Sequence, residues 1–336
     1  MNTKRVVALI IAAVLLFFSI GINTIITIFK TDFLTSFDSM LGTQDFAYEN
    51  VVEPGDFANR IAHLTVSGVI QDVGEPSVWE TVEYNHQAFM RQLDAILADD
   101  TVQAVLLSVD SPGGGVIESA EIHEKLVQIK EEKQIPIYVS MGSMAASGGY
   151  YISAPADKIF AQRETITGSI GVIMQSLNYS KLAEKVGIEF ETIKSGEHKD
   201  MFGGNRPSTA EEKTMLQEMI DESYEVFVDI IEQGRGMSEA NVKKVADGRI
   251  LGGSQALKAG LVDEIGNENA ALHALRTEHG LEDAELFEYA TQSDSWASLL
   301  GVKIGSMFSP SAEAQAISKI ISSTSSPRMM YLYGEQ

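Results

Sequence analysis

The sequence predicts a layered α/β fold with parallel strand pairing, and three observations lead to it. Val102 to Val109 is an almost unbroken apolar run, the pattern of a strand covered on both faces. Apolar residues at helical spacing flank it on both sides: Phe89, Leu93, Ile96 and Leu97 before, and Ile122, Leu126 and Ile129 after. The alternation then continues, with further strands and helices in the order that builds parallel sheets.

Taken in order, residues 1–5 precede a run, 6–29, without a single charge. About 20 apolar residues span a bilayer. Lys4 and Arg5 stand before the run, and the one cation after it, Lys30, is soon offset by Asp32. The positive-inside rule therefore predicts a single-pass anchor in the cell membrane, with residues 1–5 cytoplasmic and everything after the run outside. No Ala-x-Ala site follows, so the segment reads as an uncleaved anchor rather than a signal peptide. Residues 30–58 read as a spacer and 59–290 as the main domain. Residues 291–336 read as a C-terminal extension, partly flexible around Ser322–Pro327.

Within the main domain, periodicity begins at Arg60, with Ala62, Leu64 and Val66 at alternate positions. Strands are predicted at 135–139, 158–161, 166–174 and 188–193, with a helix near 179–186. Ser208-Thr-Ala-Glu211 is a capping box opening a long helix. Smaller helices follow near 239–246, 254–259 and 270–277, and a last one is expected over 312–321, which gives the C-terminal part a helical character.

Composition removes several functions. The 336 residues carry 47 Asp and Glu against 25 Lys and Arg, a formal charge of −22. Nucleic acid binding needs a basic face. There is no cysteine, hence no thiolate nucleophile and no Cys-ligated zinc, and no His-Glu-x-x-His either. No metal or cofactor is expected. Neither Gly-x-Gly-x-x-Gly nor a P-loop is present.

The stretch with most chemistry is Tyr138–Tyr151, a strand that runs into Gly142, Ser143, Ala145, Ala146, Ser147, Gly148 and Gly149 and then a helix. Tiny residues at a strand–helix joint allow a sharp bend that projects one hydroxyl. Helix-start N–H groups lack internal partners and favour negative charge. Ser147 is a candidate nucleophile on these grounds; a tight helix–sheet contact without chemistry would have the same composition. Asp110-Ser-Pro-Gly113-Gly114-Gly115 closes the buried strand and offers backbone N–H groups to a ligand.

A serine needs a base. Of six histidines only His198 lies in a loop after a strand, beside Lys199, so a His198-dependent hydrolase is one reading. No Ser-x-x-Lys exists. Lys199 is the other candidate base, with a solvated loop lysine as its plain alternative. A lysine acting as base near neutrality must be desolvated until its pKa falls from about 10.4 to roughly 7–8. Glu197 and Asp200 would oppose that if they faced the amine. Ser169, in Thr167-Gly-Ser-Ile-Gly171, could orient such an amine or be an ordinary core serine.

Three segments together resemble the signal peptide peptidase A family of membrane-bound serine–lysine proteases. They are Ser-Pro-Gly-Gly-Gly-Val at 111–116, Met-Gly-Ser-Met-Ala-Ala-Ser-Gly-Gly-Tyr-Tyr-Ile at 141–152 and Thr-Gly-Ser-Ile-Gly-Val at 167–172, with 194–200 and 246–250 adding to the likeness. The resemblance, which runs from about Ile61 to Gly266, implies a Clp protease/crotonase-like fold of stacked β-β-α units. It implies Ser147 as nucleophile, Lys199 as general base and Ser169 as hydrogen-bond partner of the amine. The N–H groups of Gly114 and Gly148 would form the oxyanion hole. It implies cleavage of remnant signal peptides after signal peptidase has released them, by a homo-oligomeric ring of eight with sites at shared interfaces. The tail Met329–Tyr333 is expected either to enter an active site as a substrate mimic or to be a packing strand or a frayed end. The rival classes are a crotonase-like acyl-CoA enzyme and a non-catalytic membrane scaffold of the same fold.

Overall fold

The computed structural model describes residues 48–74, 84–290 and 328–334, within a compact unit that begins at Ala47. In chain order the elements are β1 (Tyr48–Glu53), β2 (Asp56–Ser67), α1 (His86–Ala98), β3 (Val102–Ser111), β4 (Gly113–Gly115), α2 (Val116–Lys133), β5 (Ile137–Ala146), α3 (Gly148–Ser153), β6 (Lys158–Ala161) and β7 (Ile166–Gly168). There follow α4 (Ser180–Lys185), α5 (Ala210–Arg235), α6 (Glu239–Lys243), β8 (Ile250–Gly252), α7 (Gly253–Ala259), β9 (Glu264–Ile265), α8 (Glu268–His279), β10 (Ala284–Ala290) and β11 (Met330–Leu332).

The main sheet runs β1-β10-β2-β3-β5-β6-β9. Along this path every pair from β10 to β9 is parallel and β1 joins antiparallel; off it, β7 pairs parallel with β5, and β8 antiparallel with β7. Parallel strands are covered on both sides. One cover packs α1, α2, α3 and α5 through Leu93, Ile122, Tyr151 and Phe227 against Leu64, Leu107 and Val139. The other packs α8, through Ala271, Leu272 and Leu275, on Ile61, Leu106, Tyr138 and Phe160. β5 changes partner along its length: Tyr138–Met141 pair with β6, and Met144–Ala146 with β7. The break at Gly142 and Ser143 turns the end of β5 toward α3.

The capping box of α5 is formed by Thr209 and Glu212, one residue later than the Ser208–Glu211 pair expected, and Gly236, in the left-handed region, ends the helix. Asn85 and Asn267 accept from backbone N–H groups at the starts of α1 and α8.

Several boundaries differ from expectation. Residues 48–58, read as spacer, form β1 and the beginning of β2. The strand expected over 166–174 stops at Gly168, because Gly168 and Ser169 both take positive φ, 78° and 51°. No strand forms at 188–193, where Ile188, Phe190 and Ile193 alternate toward solvent without a partner. β10, for which no strand is expected, lies beside β2. The expected anchor at 6–29 and helix at 312–321 fall outside the described residues. Among those described, no helix is long and apolar enough to cross a membrane.

One buried cation ties the edge of the sheet together. Arg60 is 2% exposed. Its guanidinium donates to Glu285 at 3.2 Å, to Asp99 at 3.3 Å and to Glu49, and it stacks 3.6 Å above the Phe287 ring. Arg60→Ala would leave three acidic groups around an empty site. It is expected to destabilise the fold by about 3–5 kcal/mol, read as a lower urea midpoint; an unchanged midpoint would refute this role.

Candidate active site

The end of β5, the start of α3 and the glycine strand β4 converge on one spot. Ser147 sits between β5 and α3 with φ 54° and ψ −114°. That is costly for a residue with a Cβ and is kept only where the surroundings enforce it. Here its N–H donates to the Gly168 carbonyl at 2.8 Å, and its carbonyl accepts from Tyr151 N–H at 2.9 Å. It is 1% exposed and its side chain makes no cap bond.

The glycines are required by approach distance. A Cβ on Gly148 would lie 2.7 Å from Ser119 Oγ and 3.0 Å from the Gly114 nitrogen. A Cβ on Gly113 would lie 2.5 Å from the Gly148 nitrogen. The Gly113 N–H is taken by Ser111 Oγ and that of Gly115 by the Ile70 carbonyl. Within β4 this leaves the Gly114 N–H to face outward, next to that of Gly148. The structure thus brings Ser147, Gly114 and Gly148 together. It also brings Ser169 close, since Ala146 and Gly168 are ladder partners and the two serines follow them. Ser169 is 8% exposed, with its N–H held by the Arg249 carbonyl at 2.7 Å.

Lys199 is not brought to Ser147 within the chain. It is exposed, and among the described residues its ammonium has no hydrogen bond or ion pair. The loop that carries it is nonetheless firmly built. Asp200 accepts from Lys194 at 2.6 Å and Arg206 at 2.7 Å, and Arg206 reaches on to Glu212. These cations hold the Asp200 carboxyl well below its usual range, Arg206 foremost, and the Glu212 carboxyl down to about 2 for the same reason. Asp200 is therefore engaged away from Lys199. His198 Nδ1 lies 3.5 Å from Glu212.

The C-terminal tail occupies the groove. β11 pairs antiparallel with β4, Tyr331 opposite Gly114. On its other edge Met330 exchanges backbone hydrogen bonds with Ile173, at 2.9 and 3.0 Å. A Cβ on Gly113 would lie only 2.0 Å from the Tyr331 carbonyl oxygen, so this carbonyl, the Gly114 amide and the Gly148 amide share one small space. The Tyr331 ring is fully buried, 4.8 Å from both Tyr151 and Phe227, and its hydroxyl donates to the Ser223 carbonyl at 3.0 Å. Burial holds the Tyr331 phenol above its usual range and raises Tyr151 to about 12. Arg328 pairs with Glu118 at 3.1 Å. The tail is thus a paired strand, not a frayed end. Sequence reasoning missed Ile173 as the second wall of the groove and Tyr151 with Phe227 as its pocket. The one signal was that Tyr151 closes the small-residue stretch and Phe227 lies on the apolar face of α5.

Comparison with known proteins finds relatives among peptidases. Residues 129–282 match the model of peptidase family S49. An Enterococcus faecium protein named "Putative signal peptide peptidase SppA" is 41% identical, covering 99% of both chains. Protease 4 of Haemophilus influenzae is 35% identical over 64% of this chain, and the chloroplastic serine protease SPPA of Arabidopsis thaliana 29% over 74%. The matches take in only 34% and 38% of those two longer proteins.

Tyr331→Ala removes the ring that seats the tail. The backbone amides of Met330 and Tyr333 are expected to lose protection against hydrogen exchange about 100-fold, with the sheet unchanged. Equal protection in variant and wild type would show that the aromatic pocket does not hold the tail.

Proposed function

The chain belongs to the signal peptide peptidase A family of S49 peptidases, and on that premise we propose that it is a serine endopeptidase that degrades remnant signal peptides and similar apolar peptides, with Ser147 as nucleophile and Lys199 as general base. The observation that carries the reading is the strained Ser147 beside two backbone donors, with the Tyr331 carbonyl lying where a scissile carbonyl would be held. A substrate would enter as an extended strand between Gly113–Gly115 and Ile173, as β11 does. A neutral lysine takes the Ser147 proton as Oγ attacks the carbonyl carbon. The Gly114 and Gly148 N–H groups stabilise the oxyanion, each by about 3–4 kcal/mol. The lysine returns its proton to the leaving amine, and water then cleaves the acyl-enzyme. Ser169 orients the amine.

The base comes from a neighbouring copy in this reading. The segment before Lys199 exposes Ile173, Leu177, Leu182, Val186, Ile188 and Ile193, Leu177 by 81% and Ile193 by 97%. An apolar face of that extent marks an interaction surface, and Lys199 follows it with no partner among the described residues. A ring of protomers, eight by resemblance, would cover the face and deliver each lysine to the next serine. β3, the turned strand β4 and α2 fit one β-β-α unit of a Clp protease/crotonase-like arrangement; bent β5 and α3 fit a second. Residues 6–29 supply the membrane anchor, which leaves the peptidase domain outside the cytoplasm.

Mixing variants tests the shared site. Ser147→Ala and Lys199→Ala are each expected to lose peptide cleavage by about 1000-fold or more, while His198→Ala retains it. In a randomly mixed heterologous ring, about a quarter of the sites join an intact serine to an intact lysine, so co-assembled variants should regain up to about that share of wild-type activity. No recovery from a demonstrably mixed assembly would contradict a base supplied in trans. Full activity of Ser147→Ala would contradict the serine assignment itself.

A further inference from the structure

A second pocket lies on the α8 side of the sheet, at the carboxyl ends of β2, β3 and β5. Open parallel sheets bind ligands in this position. The cavity has a volume of about 490 Å³, and neither Ser147, Ser169, Gly114 nor Gly148 lines it. Its floor is a row of hydroxyls in register: Thr65 faces Ser108, and Ser108 faces Ser140, across three neighbouring strands. One step further along the same face, Ser67 is opposite Asp110. Nearer the start of the strands the same face is apolar, with Ile61, Leu106 and Tyr138 under α8. The surface thus turns polar where the cavity opens.

Three features describe what would fit. Two carboxylates line the cavity, Asp110 and Glu268, and no lysine or arginine does. Such walls repel phosphates and carboxylates and attract a cation. Asp110 is fixed by one oxygen, Oδ1, which accepts the Met144 N–H at 2.9 Å and leaves Oδ2 for a ligand. Glu268 accepts from the Ser108 hydroxyl, which also meets His63 Nε2 at 2.9 Å. His63 Nδ1 is in turn 2.7 Å from Glu288, so the imidazole is tied into a carboxylate network and does not face the cavity as a free cation. Finally, Ser140 is 4% exposed and lines the cavity, and its hydroxyl makes no hydrogen bond among the described residues. The little of Ser140 that is accessible opens on the cavity, where its hydroxyl is available to a ligand.

We propose that this pocket binds a small hydroxylated organic ammonium compound of the amino-sugar class. Its ammonium lies against Asp110 and its hydroxyls exchange hydrogen bonds with the Thr65–Ser108–Ser140 row. Adjacent strands are about 4.8 Å apart, so the row offers evenly spaced polar contacts to a compact ring rather than to a single ion. Val109 and Met141 are the only large apolar residues in the lining, too little surface for an acyl chain.

The test is calorimetric titration of the full-length Ser147→Ala chain in detergent, which separates this site from peptide cleavage. Glucosamine is the probe and glucose its uncharged counterpart. Saturable binding of one glucosamine per chain is expected, with glucose at least about 10-fold weaker. Asp110→Asn, which keeps an acceptor for Met144, should weaken glucosamine about 10-fold or more. Ser140→Ala removes a hydroxyl with no partner among the described residues and should weaken it several-fold with the unfolding temperature unchanged. No saturable glucosamine binding, glucose binding as tightly, or full affinity in Asp110→Asn would each overturn the proposal.

Discussion

The close approach of two backbones, the glycine strand β4 and the first turn of α3, is the constraint on which the site depends. A side chain on Gly149 would come within 2.8 Å of the Ser111 carbonyl, and one on Gly113 within 2.5 Å of the Gly148 nitrogen. At that separation only hydrogen fits. The approach forces the bend after Ala146, the bend puts Ser147 at positive φ, and the helix start then turns its free N–H groups toward the groove. Local strain at Ser147 is offset by the core behind it, where Tyr150 is buried and bonded to the Leu261 carbonyl. Strain, donors and hydroxyl are consequences of one packing decision.

The groove shows how one chain combines specificity with promiscuous backbone recognition. β4 and Ile173 each supply main-chain hydrogen bonds to an extended segment, and these accept almost any sequence. Selection comes from side-chain pockets at alternate positions. The pocket seen here is aromatic, with Tyr151 and Phe227 on the ring of Tyr331, which suits apolar peptides.

Much of this was legible in sequence. The buried run of β3, the amphipathic α1 and α2 and the small residues around Ser147 each declare a local requirement that nothing distant can change. The misreadings were of tertiary origin. β10 reads poorly because Glu285 and Glu288 interrupt it; Arg60 partners the first and His63 the second, and Leu286 and Phe287 are buried on opposite faces of the sheet. Residues 188–193 read as a strand but find no pairing partner among the described residues. The tail could not be docked from sequence, because its register with Gly113–Gly115 depends on a pocket assembled from α3 and α5. Lys199 reads as a loop lysine and lies exposed in the structure, with its acidic neighbour Asp200 occupied by Lys194 and Arg206.

The central claim is that the hydroxyl of Ser147, and no other, attacks a carbonyl held by Gly114 and Gly148. Reaction of the assembled full-length protein with a fluorophosphonate, followed by peptide mass mapping, tests it most directly. The account predicts one adduct per chain, on Ser147, suppressed by a peptide that competes for the groove. An adduct on Ser169 or Ser111 instead, or none on a protein that still cleaves peptides, would contradict it.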